Sequence, residues 1–224
     1  MPNGIDFQAF FASLLVVFFA IGIHEFAHCW FADAAGDPTP RAQGRVTLNL
    51  FKHFDPVGAF MIVFTSLSGF GIGWGKPAPM NPTKMDNPRR DFFIAVAAGP
   101  LSNVVQATIF GLVLRLLGAS GALSTLPQFA VLVLFLGVLI NIGLFLFNLI
   151  PLGPLDGQWL VGLLLPEPTR TSWFQFNRQI GGFLFLGIVL IPQFLGFSLI
   201  GMLIFKPAQV LFELITGMQF PGGP

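Results

Sequence analysis

The sequence predicts an all-α polytopic membrane protein with about 4–5 transmembrane helices, a re-entrant segment and a small β-strand element near the candidate site. Of the 224 residues, 54% are hydrophobic and only 9% are charged, whereas a soluble domain carries about 25% charged residues. Several uncharged runs exceed the roughly 20 residues that a helix needs to cross a hydrocarbon core. We interpret residues 1–224 as a single integral-membrane domain without an appended soluble domain.

Four apolar segments predict full transmembrane helices. They cover about residues 7–35, 92–117, 129–150 and 180–205, and Pro192 is expected to kink the last of them. The tail, residues 207–218, predicts a short interfacial helix. The net charge of +1 gives no basic surface for nucleic acid, so the expected partners include the lipid bilayer but no nucleic acid.

One motif in the first apolar segment is typical of a metal-binding site. His24-Glu25-Phe26-Ala27-His28 places two imidazoles at positions i and i+4, which lie on one face of a helix and can reach one metal ion. Zinc suits two imidazoles with one carboxylate, and Glu25 is placed to take a proton from water. Ionisable groups inside a membrane span are expensive and mark function by default.

The third ligand predicted for this metal is Asp156. It follows an apolar span and lies in a break rich in Pro and Gly, and irregular backbone at membrane depth is tolerated only where it is buried or lines a wet cavity. An aspartate at an ordinary helix-ending turn is the simpler alternative. His53 and Asp55, which lie in a polar stretch, are the second choice as ligands.

Asn148 is a candidate for oxyanion contact, because its amide can donate a hydrogen bond to a developing oxyanion. Hydrogen bonding between helices is the alternative for this amide. Asn103, together with Gly99 and Ser102, is interpreted as part of a packing face of small residues rather than as a catalytic group. Cys29 points away from His28 around the helix and is interpreted as a packed thiol.

Three motifs resemble, in order and spacing, the signature regions of the site-2 protease family. They are His24-Glu25-x-x-His28, Ala98-Gly99-Pro100-Leu101-Ser102-Asn103 and Asn148-Leu149-Ile150-Pro151-x-x-Pro154-Leu155-Asp156-Gly157. Members of this family are intramembrane zinc proteases that cut transmembrane segments of other proteins. The resemblance implies one zinc ion per chain on the two histidines and Asp156, with Glu25 as general base and Asn148 near the substrate.

The number of membrane crossings between the candidate ligands predicts that the segment 57–74 does not fully cross the bilayer. His24, His28 and Asp156 must lie at one depth to share a metal, so the chain must cross an even number of times between them. Segments 92–117 and 129–150 supply two crossings. Segment 57–74, with Gly69, Gly71, Gly73 and Gly75 at or beside its end, is therefore expected to dip in and return.

Two polar stretches beside this segment are expected to lie near the site. Residues 45–50 alternate polar and apolar and predict a strand. In the stretch 74–80, Pro77 and Pro79 remove donors from one edge and leave the other edge able to pair with a substrate strand.

Basic residues predict the orientation. Residues 36–91 contain Arg41, Arg45, Lys52, Lys76, Lys84, Arg89 and Arg90, whereas residues 118–128 contain none. The positive-inside rule therefore places the candidate site nearer the cytoplasmic face, and we expect a multi-pass protein of the cell (inner) membrane.

Two other functions remain open at this stage: a transporter or other metal-binding membrane protein, and a catalytically silent relative that binds transmembrane helices. Glu25 argues against both, because neither needs a base beside the metal. The sequence predicts neither the identity of the substrate nor the oligomeric state.

Overall fold

The computed structural model describes residues 6–68 and 71–220. In these ranges the regular structure is helical. The α-helices are α1 (Phe7–Ala34), α2 (Thr39–Ala42), α3 (Pro56–Ser68), α4 (Pro88–Ala119), α5 (Gln128–Asn148), α6 (Asp156–Leu164), α7 (Thr169–Phe176), α8 (Gly182–Phe194) and α9 (Leu199–Thr216). Short 3₁₀ turns cover Leu50–His53, Pro82–Lys84 and Ala122–Thr125, and a π-helical turn, Asn177–Gly181, joins α7 to α8.

Within residues 6–68 and 71–220, five helices are long and apolar enough to cross a membrane, so the chain is a multi-pass membrane protein. They are Phe7–Ala34, Pro88–Ala119, Gln128–Asn148, Thr169–Phe194 and Leu199–Thr216. The first three agree with the predicted segments. These helices carry apolar residues on all faces, as expected where one side packs on protein and the other faces lipid.

Helices α1, α4 and α5 pack against one another and form the centre of the bundle. Small residues on α4 allow the close approach: Ala95 and Gly99 are buried where α4 meets α1. Toward the other end of α4, Leu114 packs with Val138 of α5 and Phe212 of α9. The central helix α4 therefore contacts both helices that lead to the candidate site.

The C-terminal part of the predicted topology is wrong in its boundaries. The chain does not form one helix over 180–205; α8 ends at Phe194, and Gly196 has a φ of +81°, a conformation that favours glycine and stops the helix. A new helix, α9, then begins after Ser198, whose side chain accepts a hydrogen bond from Gly201 N–H. Because α9 runs through Pro207 to Thr216, the predicted tail 207–218 is largely the second half of a longer helix.

The segment 57–74 forms a short helix followed by an extended return. Helix α3 has 13 residues, about 20 Å, which falls short of the ~30 Å hydrocarbon core. The returning chain packs alongside it, since Gly58 meets the carbonyl of Trp74 and Gly73 meets the backbone of Ile62. The described part of the return, residues 71–74, therefore runs alongside α3, while Gly69 of the predicted glycine cluster lies outside the described residues. Its depth in the bilayer stays a prediction.

The predicted strand over residues 45–50 is wrong: no strand forms in the described parts of the chain. Burial does not follow the alternation, because apolar Leu48 is 74% exposed whereas the charged side chain of Arg45 is only 2% exposed and points into the protein. Its guanidinium donates to the carbonyls of Lys76 at 2.6 Å and Pro77 at 3.1 Å. The loop therefore holds the stretch 71–81 through a side chain rather than through a backbone ladder.

Candidate metal centre

Helix α1 brings the two motif histidines together, as the i, i+4 spacing predicts. Both rings are buried, and His24 Nε2 lies 3.0 Å from His28 Nε2. Glu25, the next residue after His24, has its Oε2 buried without a hydrogen-bond partner among the described residues. The helix thus supplies two nitrogen donors with a carboxylate beside them.

Asp156 completes the cluster. It is the first residue of α6, after the break at 149–155 that ends α5. Its Oδ2 lies 3.2 Å from His24 Nε2 and 3.3 Å from His28 Nε2. Gly157 permits this tight turn, since a Cβ there would lie 2.3 Å from the carbonyl of Ile150. In the described parts of the chain, these three side chains form the group suited to a metal ion.

Hydrogen bonds to acceptor oxygens on α4 orient both imidazoles. His28 Nδ1 lies 2.8 Å from the carbonyl oxygen of Ala95, which can only accept, so Nδ1 carries the proton. His24 Nδ1 lies 2.8 Å from Asn103 Oδ1 and donates to it in the same way. In the neutral rings the Nε2 atoms are then unprotonated, and their lone pairs point toward Asp156.

The donor set fits a zinc ion. Two unprotonated imidazole nitrogens and a carboxylate oxygen converge within 3.3 Å of one another, and such lone pairs repel unless a cation lies between them. Asp156 Oδ2 is moreover buried without a hydrogen-bond partner in the described structure. Two His and one carboxylate, with a position left open, are typical of catalytic zinc sites.

A cavity of about 730 Å³ opens onto the cluster. His24, Glu25, His28 and Asp156 line one side, and the extended stretch 72–78 and helix α8 line others. Asn148 also lines this cavity, but its amide donates to the carbonyl of Leu144 in its own helix at 3.0 Å. Because α5 ends at Asn148, this residue does not share a helix face with Asp156, and its proposed contact with substrate stays a prediction.

Gly99 provides the wall behind the histidines. A Cβ added there would lie 2.2 Å from His28 Nε2 and 2.9 Å from His24 Cε1. Both rings therefore lie directly on the α4 backbone, which agrees with the predicted packing face of small residues. Asn103 on the same face does more than pack, since it is fully buried and contacts His24. The sequence signal for a polar partner was an amide within an apolar segment.

The second-choice ligands have other partners. Asp55 Oδ1 accepts hydrogen bonds from the N–H groups of Val57 and Gly58 and thereby caps the N-terminus of α3. His53 Nε2 contacts the carbonyl of Thr47, while its Nδ1 faces Arg45 at 3.5 Å. Cys29 is buried outside the metal-binding group, in keeping with a packed thiol.

The sequence predicted that one edge of the stretch 74–80 is free to pair with a substrate strand, but in the structure this edge is already hydrogen-bonded. Lys76 N–H donates to the carbonyl of His53, and Lys76 O accepts from Arg45, so the protein itself uses this edge. On the opposite edge, Gly73 and Gly75 have N–H groups without a partner among the described residues. Gly75 also lies against Glu25, where a Cβ would approach Oε1 at 3.3 Å.

Comparison with known proteins supports a protease. No family model matches the sequence, and no solved structure matches it. A protein of Bacillus subtilis (strain 168), named "Putative zinc metalloprotease YwhC", is 38% identical over 184 residues, which make up 80% of this chain and 78% of the relative. At this identity and coverage, the chain belongs to the same zinc metalloprotease family as the Bacillus protein.

Proposed function

We propose that the protein is an intramembrane zinc endopeptidase of the site-2 protease family, which hydrolyses peptide bonds in or near transmembrane segments of other membrane proteins. The observation that carries this proposal is the convergence of His24, His28 and Asp156 beside Glu25, at a cavity within a bundle of apolar helices. A cavity at this position gives a substrate access to the cluster from within the helical bundle.

The chain's own residues divide the work of hydrolysis. When bound, one zinc ion per chain would supply a Lewis acid for the reaction. His24, His28 and Asp156 would hold it, and the carboxylate of Glu25 would take the proton of the attacking water and return it to the leaving amine. Asn148, at the cavity wall, would contact the substrate or its developing oxyanion after releasing Leu144 O.

Substrate binding is proposed at the free edge of the extended stretch. A helix shields its peptide bonds, so a substrate must unwind before it can be cut. The N–H groups of Gly73 and Gly75 face no partner in the described structure, and Gly75 lies against Glu25. An unwound substrate segment would pair there by strand addition and present its peptide bond to the base.

The proposed partners are membrane-spanning protein substrates and the lipid bilayer of the cell (inner) membrane, with the metal centre nearer the cytoplasm. The positive-inside rule supports this orientation. Cysteine variants at Ser120 are expected to label from outside the cell and variants at Asn87 from inside. Labelling of Asn87 variants alone by an external reagent would reverse the orientation.

The function is tested by co-expression with a panel of single-span proteins, comparing the native chain with Glu25→Gln. The endopeptidase cuts at least one substrate, and Glu25→Gln retains zinc but cuts none. Cleavage that survives Glu25→Gln would contradict the proposal. A transporter would instead show metal uptake into vesicles that does not depend on Glu25, and a silent relative would bind substrates without cutting them.

A further inference from the structure

We propose that Asn103 and Asn141 form a buried amide pair that fixes the tautomer and the orientation of His24 and thereby sets the affinity of the metal centre. This inference rests on the proposed function, since it concerns the same zinc site. It assigns to these two amides a positioning role, because neither touches the cluster except through His24.

Asn103 contacts helix α1 at two points. Its Oδ1 lies 2.8 Å from His24 Nδ1, and its Nδ2 lies 3.2 Å from the carbonyl oxygen of Ala20. Since a carbonyl only accepts, the amide nitrogen must face Ala20, and the amide oxygen is left for His24. One side chain thus spans one turn of α1 and allows only the Nδ1–H form of the neutral ring.

Asn141 fixes Asn103 from the other side. Its Oδ1 accepts from Asn103 Nδ2 at 2.9 Å, while its own Nδ2 donates to Gly137 O at 2.8 Å. Both amides are fully buried at 0% exposure, so water does not offer them another arrangement. The chain of donors ends on backbone carbonyls at Ala20 and Gly137, and each amide therefore has one orientation that satisfies its bonds.

The pair also connects α1, which carries both histidines, to α4 and α5. His24 is on α1, Asn103 on α4 and Asn141 on α5, the helix that leads to the break before Asp156. Partners that hold the second nitrogen of a ligating histidine fix its tautomer and orientation, and their loss reduces metal affinity or activity by about 10- to 100-fold. We therefore expect the amide pair to act on zinc affinity through His24.

The test measures the zinc dissociation constant of the full chain, purified in detergent, by competition with a chelator. Asn103→Leu removes the acceptor of His24, and zinc binding weakens by about 10- to 100-fold. Asn103→Asp keeps an acceptor oxygen in place, so it binds zinc at least about tenfold more tightly than Asn103→Leu. If Asn103 only packed between the helices, Asn103→Asp would bind zinc more weakly than Asn103→Leu. The second oxygen of the introduced carboxylate would then face, and be repelled by, the oxygens of Ala20 and Asn141.

Two further variants make the result decisive. Gln106→Leu is the matched control: Gln106 is buried on the same helix, its Nε2 has no partner in the described structure, and its loss leaves zinc affinity unchanged. Asn141→Leu weakens zinc binding, but adds nothing in the Asn103→Leu background. Where Asn103→Leu does not fold, the comparison of Asn141→Leu with wild type decides.

The outcomes separate this inference from the proposed function. If wild type binds zinc and His24→Ala does not, yet Asn103→Leu and Asn141→Leu both bind as wild type does, the amide pair has no such role and the metal centre stands. If wild type itself binds no zinc, the proposed function and this inference both fall.

Discussion

Gly99→Ala tests whether the two histidines need the bare backbone of α4 behind them. The added methyl carbon would lie 2.2 Å from His28 Nε2, whereas ordinary contact begins at 3.4 Å. The His28 ring must therefore retreat by about 1.2 Å, which is far more than the ±0.2 Å that zinc–ligand distances tolerate. A displacement of about 1 Å at a reacting site costs on the order of 100-fold in rate.

We expect Gly99→Ala to lower kcat/KM by about 100-fold or more and to weaken zinc binding in chelator competition. The matched control is Gly143→Ala, another helical glycine, around which an added Cβ meets nothing within 4 Å. This control is expected to keep zinc affinity and activity and to gain about 0.5–1 kcal/mol of stability, because alanine is the better helix former. Zinc affinity and kcat/KM within threefold of wild type for Gly99→Ala would refute the packing argument.

Three other changes have defined outcomes. Glu25→Gln is expected to keep zinc and to lose about 10²- to 10⁴-fold in kcat, whereas Asp156→Ala loses zinc; metal analysis that finds full zinc in Asp156→Ala would exclude this ligand. Arg45→Gln leaves the carbonyls at residues 76–77 unpaired, so the free energy of unfolding falls by about 1–3 kcal/mol. We expect kcat/KM to fall while the zinc content of the protein stays the same. A parallel loss of zinc would instead place Arg45 in the metal centre. Burial, with the nearby charge of Arg45, holds the pKa of His53 below its ordinary value of 6.5, so the neutral ring stabilises the fold above pH 6.5 and that contribution is lost as the pH falls below this value. Thermal unfolding between pH 7.5 and pH 5.5 measures this, and His53→Gln should show a smaller loss than wild type.

Local patterns in the sequence predicted the parts of the structure that depend on neighbours along the chain. The i, i+4 spacing placed His24 and His28 on one face of α1. The length of the apolar runs predicted α1, α4 and α5, and the Pro/Gly-rich break predicted the irregular backbone before Asp156. Because the three ligands can share a metal only at one depth, the sequence also predicted a turn-back after α3, and residues 71–74 lie alongside that helix.

Other features depended on contacts between distant residues. The alternation over residues 45–50 predicted a strand, yet this loop is held by Arg45, whose buried guanidinium binds carbonyls about 30 residues further along the chain. The end of α8 depends on the left-handed conformation of Gly196, which the more conspicuous Pro192 obscured. Such partners and conformations leave no periodic signal in the sequence.

The sequence by itself determined the class of the protein and singled out the side chains proposed to bind the metal, because hydrophobic length and helical spacing are local properties. Only the tertiary structure decided how these side chains are held. Gly99 and Asn103 come from α4, which packs antiparallel to α1, so their contacts with His24 and His28 exist only once the bundle has formed. The precision of a metal site depends on such packing and on hydrogen bonds to its ligands, and both are properties of the folded chain.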